Sequence, residues 1–550
     1  MSALDLLLLL ASVAPQDAPG PGVSTAAVCA TCHSAAPEAT AMRDSTGASI
    51  APYDLWRSTM MANAARDPLW RAVVSAEIAA TPSRQREIEE TCLRCHSPLA
   101  ERSGLEDHDT GSFLHLLDCK GEKAELALDG VSCTICHGIR PDNLGTPESF
   151  SAGFELDEQR RLFGPHDTPF INPMRMHSGF TPARGDHITE SRLCGSCHTL
   201  ETHAFTPDGE RDESPFLEQS PYLEWRNSVW EDESDTPGPM ARSCQDCHVP
   251  TRDAAGVPNE TRIARNPMGR DFPPVKERSP FGRHLFVGGN TLILSILRDH
   301  REELRVDAPA AAFDATIAAA RDQLQHRTAT LALADATRED GRLRFALDVQ
   351  NLTGHKLPTG HPTRRAWLRV VIRDAGGNAV FASGQPDDQG RVLGPDGAPL
   401  ASELPGGPVP PHRDVITAAD QVATYEAIMA DASGSPTFTL LRGARWYVDD
   451  RLLPAGWTAD HPEAVRTAPI GVEGDASFRG GADRVRFDLD LAGQTGELTI
   501  EAALLYQSLS ARWAAELLQV DTPEVKRFAR MYAAADRAPE VLAEATATVR

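Results

Sequence analysis

Ten cysteines and five histidines of this chain fall into five Cys-x-x-Cys-His units: Cys29/Cys32/His33, Cys92/Cys95/His96, Cys133/Cys136/His137, Cys194/Cys197/His198 and Cys244/Cys247/His248. Two thiols at this spacing can add across the two vinyl groups of a porphyrin, and the adjacent imidazole then lies beneath the iron. This is the haem-attachment signature. At the chain's own cysteine and histidine frequencies, roughly 0.01 chance occurrences are expected. Five copies therefore predict five haems c, with the ten sulfurs as thioether anchors and His33, His96, His137, His198 and His248 as proximal iron ligands.

Competing chemistries fit less well. Paired Cys-x-x-Cys knuckles also build tetrahedral zinc sites, but zinc leaves the invariant following histidine unexplained, and an odd number of knuckles cannot pair into four-cysteine sites. Disulfides and thioredoxin-like pairs do not require the histidine either. Of the eleven cysteines only Cys119 is left over. Cys119-Lys120 brings to mind a Cys-x-x-Cys-Lys attachment site, but position 116 is Leu116, so that motif is absent and Cys119 is expected as a small buried residue.

What tunes each iron is its sixth ligand. His166 and His177 lie in a Gly/Pro/Met-rich loop between the third and fourth motifs, and His284 follows the last motif in Arg-His-Leu-Phe-Val-Gly-Gly-Asn. These three are the first candidates; His187 and His115 come behind them, and His203 further behind. His300, His326, His412 and His461 are expected on the surface. Met60, on a helical segment from Leu55 to Ala64, offers a thioether that would raise the potential of the first haem, against the ordinary reading of a core methionine.

These groups need scaffolding. Asp67-Pro68 and Ser220-Pro221 open helices, and Thr81-Pro82 opens one whose run through Glu87, Glu89 and Glu90 delivers Cys92. Unequal intervals between motifs exclude a tandem array of one repeat. After about residue 300 cysteines disappear, and two helical patterns follow, Thr291 to Leu304 and Ala311 to Leu324. Leu343, Phe345, Leu347 and Val349 then alternate with polar residues, as do Val485, Phe487, Leu489 and Leu491, which predicts half-buried strands. Gly376-Gly377-Asn378 joins two further strands as a hairpin, and Leu498 to Leu505 adds another. Thr522-Pro523 starts a last helix with Val525, Phe528 and Tyr532 on one face. The expectation is an α+β chain: an export leader over 1–22, a mainly helical, loop-rich pentahaem domain over 23–300, a helical linker over 301–327, a β-sandwich over 328–510 and a C-terminal helical segment over 511–550.

On Cys92-Leu-Arg-Cys-His-Ser-Pro, Gly130-Val-Ser-Cys-Thr-Ile-Cys-His, Ser191-Arg-Leu-Cys-Gly-Ser-Cys-His-Thr-Leu, Tyr222-Leu-Glu-Trp-Arg-Asn-Ser and Ser243-Cys-Gln-Asp-Cys-His, the chain resembles the multihaem cytochromes c of the family that contains the tetrahaem electron acceptor of hydroxylamine oxidoreductase. The resemblance covers about residues 25 to 290 well and the remainder loosely. In that family a histidine commonly follows a Trp-x-Ser element after the first attachment site. Here Trp56-Arg57-Ser58-Thr59 runs into Met60, which puts the ligand of the first haem in question. The element Gly354-His355-Lys-Leu-Pro-Thr-Gly-His361 resembles one in relatives with an appended β domain, which implies that His355 leans toward a haem.

The chain has 550 residues, 41% of them hydrophobic, enough for more than one core, and carries 78 acidic against 54 basic residues for a formal charge of -24. That charge argues against nucleic acid and for a basic redox partner protein. Haem attachment takes place outside the cytoplasm, so a periplasmic or extracellular location follows. Leu6 to Val13 is a short apolar run without a preceding basic residue, and no stretch is long enough for a membrane span. Function divides into two classes: an electron carrier with every iron capped on both sides, which is favoured, or an oxidoreductase that takes a small nitrogen or sulfur compound at one five-coordinate haem.

Overall fold

A computed structural model describes residues 22–104 and 112–550. The expected leader, up to residue 21, lies outside the described residues. The chain is of the α+β class, with helices and mostly antiparallel strands that form several separate sheets.

Each attachment motif has its first cysteine on a short helix: Ala26–His33 (α1), the C-terminal turn of Gln85–His96 (α3), Cys133–Cys136 (α4), Ser191–Gly195 (α5) and Cys244–His248 (α6). Between α1 and α3 runs Pro68–Ala80 (α2), where the Asp67 side chain accepts from the amides of Leu69 and Trp70 (2.8 and 3.3 Å) and satisfies two donors that the helix leaves free. The helix expected from Pro82 begins with a 3-10 turn over Pro82–Arg84 and becomes α-helical only at Gln85. Ser220-Pro221 opens the expected helix, Pro221–Arg226.

The cytochrome-like half has no single core. Its apolar residues gather into separate small clusters, such as Val23, Leu99, Ile135, Ile139 and Phe154, with the motif cysteines Cys95 and Cys197 packed against them. That pattern suits a segment whose interior a large planar cofactor would share.

Two helices follow, Thr291–Asp299 (α7), capped by Asn290, and Ala310–Arg327 (α8). The strands come next: Ala329–Glu339 (β1), Arg342–Asn351 (β2), Arg365–Arg373 (β3), Ala379–Ser383 (β4), Val415–Ile416 (β5), Thr424–Ala430 (β6), Pro436–Thr437 (β7), Arg445–Asp449 (β8), Ala482–Asp490 (β9), Leu498–Gln507 (β10) and Glu540–Val549 (β11). They form a four-stranded sheet in the order β5-β9-β2-β1 and a seven-stranded sheet along the path β7-β6-β3-β10-β11, with β4 on β3 and β8 on β6. The alternating residues anticipated in β2 and β9 lie directly opposite one another, Phe345 against Phe487 and Leu347 against Val485. The two phenyl rings stack at 4.6 Å and 5°. Leu368, Val370 and Ile372 of β3 and Ile500 and Leu504 of β10 face them in one shared core. The β3–β4 turn is the expected hairpin: Asp374 accepts from the amides of Gly376 and Asn378, and Gly377 takes a positive φ of 83°.

One expectation fails at the end of the chain. Residues 511–550 are not helical throughout: after Ala511–Leu517 (α9) and Pro523–Ala534 (α10), Glu540–Val549 returns as β11 and pairs along the whole of β10, from Leu498↔Val549 to Tyr506↔Glu540. The segment Glu-Val-Leu-Ala-Glu-Ala-Thr-Ala-Thr-Val is rich in alanine and glutamate, and only Leu542 and Val549 enter the core, so its period of two carries little contrast.

The two halves interlock. Ala72 and Val73 of α2 share an apolar cluster with Ile293 and Leu297 of α7, Phe313 of α8, Trp513 of α9 and Phe528 of α10. The buried Glu77 carboxylate accepts from the amides of Leu440 and Leu441 (2.6 and 3.1 Å), and burial lifts it to about 7.

Within the sandwich His412, expected at the surface, is instead held between Asp450 Oδ2 (3.2 Å) and Asp475 Oδ2 (3.1 Å), with Asp483 and Tyr425 alongside. With both ring nitrogens donating, it has no lone pair to offer a metal. Burial opposes its charge, but Asp450 and Asp475 outweigh it and raise the imidazole to about 9. A folded-state value above the ordinary one contributes stability that is complete below about pH 6.5 and is lost as the pH rises through about 9. Stability is expected to decline over that interval, and His412→Gln to flatten the decline; denaturant unfolding at a series of pH values measures both.

Candidate haem-attachment sites

The helices α1, α3, α4 and α6 present their two cysteines about a turn apart, with the histidine at or just beyond the C-terminal end, whereas α5 carries Cys194 and the turn after it carries Cys197 and His198. None of the cysteines is in a disulfide. On α6 the presentation is secured by a capping box, in which Ser243 Oγ accepts from the Asp246 amide (3.2 Å) and the Asp246 carboxylate accepts from the Ser243 amide (3.0 Å).

The imidazoles share a further feature. Nδ1 of His33 faces the Ile263 carbonyl (3.0 Å), that of His96 the Ala64 carbonyl (3.4 Å), that of His137 the Phe163 carbonyl (2.6 Å) and that of His248 the Val287 carbonyl (2.8 Å). A carbonyl only accepts, so Nδ1 carries the proton and Nε2 keeps its lone pair. This is the outer-shell arrangement that orients a metal-binding histidine. Burial also holds all five rings below the ordinary histidine value, His96 and His198 at about 4, so the lone pair is available at neutral pH. His198 lacks such a carbonyl partner among the described hydrogen bonds. Burial is the largest influence on its ring, and the charges of His248, Arg364 and His355 bear on it as well.

The cysteines of different motifs meet. Cys29 lies beside Cys133, Cys95 beside Cys197, and Cys194 beside Cys244. Cys136 lies within electrostatic reach of Cys197 and Cys194. The first motif thus adjoins the third, the third adjoins the fourth, and the fourth adjoins both the second and the fifth.

Whether the pockets suit a porphyrin can be tested on polar atoms that the polypeptide leaves unpaired. Thr199 Oγ1, Thr202 Oγ1, Trp230 Nε1, Arg283 Nε, Thr359 Oγ1 and Trp513 Nε1 are buried without a hydrogen-bond partner. Buried donors of this kind require an acceptor. Two flank His198 and His284 in sequence, and porphyrin carboxylates would satisfy such donors, so the residues present fit haem c.

The distal candidates divide. His284 comes to His137: the ring centroids are 6.2 Å apart with planes 26° from parallel, and His284 Nδ1 is tied to the Gly282 carbonyl (3.1 Å). Two metal–imidazole bonds of about 2 Å plus the ring radii span about 6 Å, the separation of two rings that clasp one iron. His355 is drawn into the other half, with Nδ1 on the Lys356 carbonyl (3.1 Å) and its ring within electrostatic reach of His248 and His198. The loop before it lies on Trp225 and Trp230, where a Cβ at Gly354 would come within 3.1 Å and 3.5 Å. His166 is half-buried beside Arg278, and His177, at the end of the helix Ile171–Ser178, is exposed. His115 is exposed as well. His187 is buried with Nε2 engaged by the Ile139 carbonyl (2.9 Å), and His203 Nδ1 faces the Asp212 carbonyl (2.9 Å). Met60 packs against the apolar cluster that includes Ala72, Val73 and Ile293, the ordinary setting of a core methionine. Cys119 packs half-buried beside a cluster with Trp70 and Leu117.

Two features were not anticipated. The four carbonyl partners come from backbone atoms of unremarkable residues, which leave no mark in a sequence. His361 has a ring as deeply set as that of His355, and its signal was the same Gly354–His361 element.

Residues 28–138 match the family model described as cytochrome c554 and c-prime. No curated protein matches the chain. Among solved structures, the chain is similar to a penta-heme cytochrome c552 from Thermochromatium tepidum, at 15% identity and a TM-score of 0.49 over 96% of this chain and 98% of that one. The matched stretch contains the first three attachment motifs, and with its five such motifs the chain is similar to the multihaem c-type cytochromes.

Proposed function

We propose that this chain carries five covalently bound haems c, attached at the ten motif cysteines, and passes electrons among them. The observation that carries the reading is the set of sulfur contacts between motifs. Cys29 on Cys133, Cys95 on Cys197 and Cys194 on Cys244, with Cys136 close to Cys197, join all five anchor points into one connected set. Groups anchored at neighbouring sulfurs lie close to one another. Haem, when bound, supplies a reversible one-electron centre. The protein's part is to hold these centres close, to orient the proximal rings through the carbonyls of Ile263, Ala64, Phe163 and Val287, and to keep each imidazole neutral.

In this reading His33, His96, His137, His198 and His248 are the proximal ligands, His284 is the second ligand opposite His137, and His355 serves the pair His198 and His248. The partner is a redox protein that meets the chain's net negative charge outside the cytoplasm. Among the described residues no helix is long and apolar enough to cross a membrane.

Mass spectrometry of the exported protein is expected to show five haem additions. Electron paramagnetic resonance of the oxidised protein, with carbon monoxide binding after reduction, separates carrier from enzyme. Low-spin spectra with no adduct fit the carrier, and a high-spin signal with a substoichiometric adduct fits the oxidoreductase. A colourless exported chain of bare polypeptide mass would overturn the reading.

A further inference from the structure

We propose that His361, from the loop between β2 and β3, is the second axial ligand of the iron anchored at Cys92 and Cys95, so that the sandwich half holds a metal centre in the cytochrome-like half. The inference rests on the attachment reading above. It begins at α2, which touches both partners. On one side Trp70 stacks on His96 at 4.9 Å and 7° and shares a cluster with Cys92. One turn along, Val73 shares a cluster with Trp513 of α9, and Trp513 meets the His361 ring edge-on at 5.8 Å and 71°. His361 and His96 are thereby brought to the same pocket from opposite halves of the molecule.

The His361 ring is held in place. Its Nδ1 lies 3.3 Å from both the Thr363 amide, which donates to it, and Thr363 Oγ1; that hydroxyl donates to the Ser508 carbonyl (3.0 Å) and keeps a lone pair that would take a ring proton moved to Nδ1 when Nε2 binds a metal. The loop is pinned further by the Ser510 amide on the Thr363 carbonyl (2.7 Å) and by Arg364 Nη1 on the Thr359 carbonyl (2.8 Å). Among the described residues no hydrogen bond engages Nε2. Nε2 of this half-buried ring is thus free to meet a group that enters the pocket. His96 lies within electrostatic reach of the ring. Two further buried atoms beside it, Thr359 Oγ1 and Trp513 Nε1, also lack partners. A haem between the two imidazoles would engage all three.

The consequence is structural as well as electronic. A coordinate bond from Nε2 to iron would tie the loop 357–364, and through it the seven-stranded sheet, to α3. The sandwich would then act as the donor of a ligand and not merely as a docking module.

The test uses the full-length, exported, haem-loaded protein. His361→Ala is expected to retain five haems by mass while one low-spin signal is replaced by a high-spin one. After reduction it is expected to bind one more equivalent of carbon monoxide than the wild type, and added imidazole should restore the low-spin signal. His361→Met, which keeps a ligand and guards against a misfolded alanine variant, is expected to stay low-spin with one potential raised. Five haems with unchanged spectra in His361→Ala, or unchanged potentials in His361→Met, would overturn the proposal alone. A wild-type chain that binds no haem would overturn the attachment reading beneath it.

Discussion

Replacing Cys194 and Cys197 together by serine is expected to remove a single haem and to slow electron exchange between the remaining ones by orders of magnitude. The fourth motif is the junction of the set: Cys197 meets Cys95, Cys194 meets Cys244, and both are within electrostatic reach of Cys136. Without it, the pair built on Cys29 and Cys133 is cut off from the second and fifth motifs. Cys29→Ser with Cys32→Ser is the matched control. It removes a terminal member, so exchange among the other four should continue at near its original rate. Haem count by mass and rapid-reduction kinetics read both variants. Equal kinetics in the two would show that the sulfur contacts do not trace the electron path.

Asp449→Ala is expected to destabilise the fold by about 3–5 kcal/mol, the usual result of removing one partner from a buried ion network. Asp449 accepts from Lys356 Nζ (2.6 Å) and from Arg451 Nε and Nη2 (2.7 and 2.8 Å), and all three side chains are almost fully buried. Removing it leaves the buried Lys356 ammonium without its carboxylate and Arg451 with Glu224 alone. Glu224 gives the network reach beyond the sandwich, for it accepts from Arg451 (3.2 Å) and from the Lys356 amide (2.9 Å) beside His355. Lys356→Met should cost less, because Asp449 keeps Arg451. Burial alone would raise the Asp449 carboxyl, but Arg451 and Lys356 prevail and hold it at about 2. A depressed carboxylate contributes stability that is full above its ordinary value of about 4 and is lost as the pH falls toward 2. Asp449→Ala should therefore weaken the acid dependence while lowering stability at neutral pH, and chemical denaturation at both extremes measures the two effects.

Local chemistry was the most legible part of this chain. The caps Asp67-Pro68 and Thr522-Pro523 mark true helix starts, and in each case the side chain reaches a backbone amide within its own first turn. Strong alternation marks strands β2 and β9, because every second side chain enters a core. Where contrast fades the reading fails: β11, built of alanine, threonine and glutamate, passed for helix, and Pro82 opens a 3-10 turn before the α-helix begins. His412, an unremarkable histidine in sequence, proves to be clamped by two aspartates 38 and 63 positions away.

The same division runs through the functional site. Attachment chemistry is written in five consecutive residues at a time, because thiols and imidazole must meet one macrocycle at fixed spacing, and no folding is needed to see it. The proposed second ligands are different in kind. His284 reaches His137 across 147 positions, and His355 and His361 come from a loop between two strands of the sandwich. A lone histidine has no periodicity or spacing partner. Its role follows from which loop packs against which helix, and that is set by long-range burial and by backbone carbonyls that carry no residue-type signature.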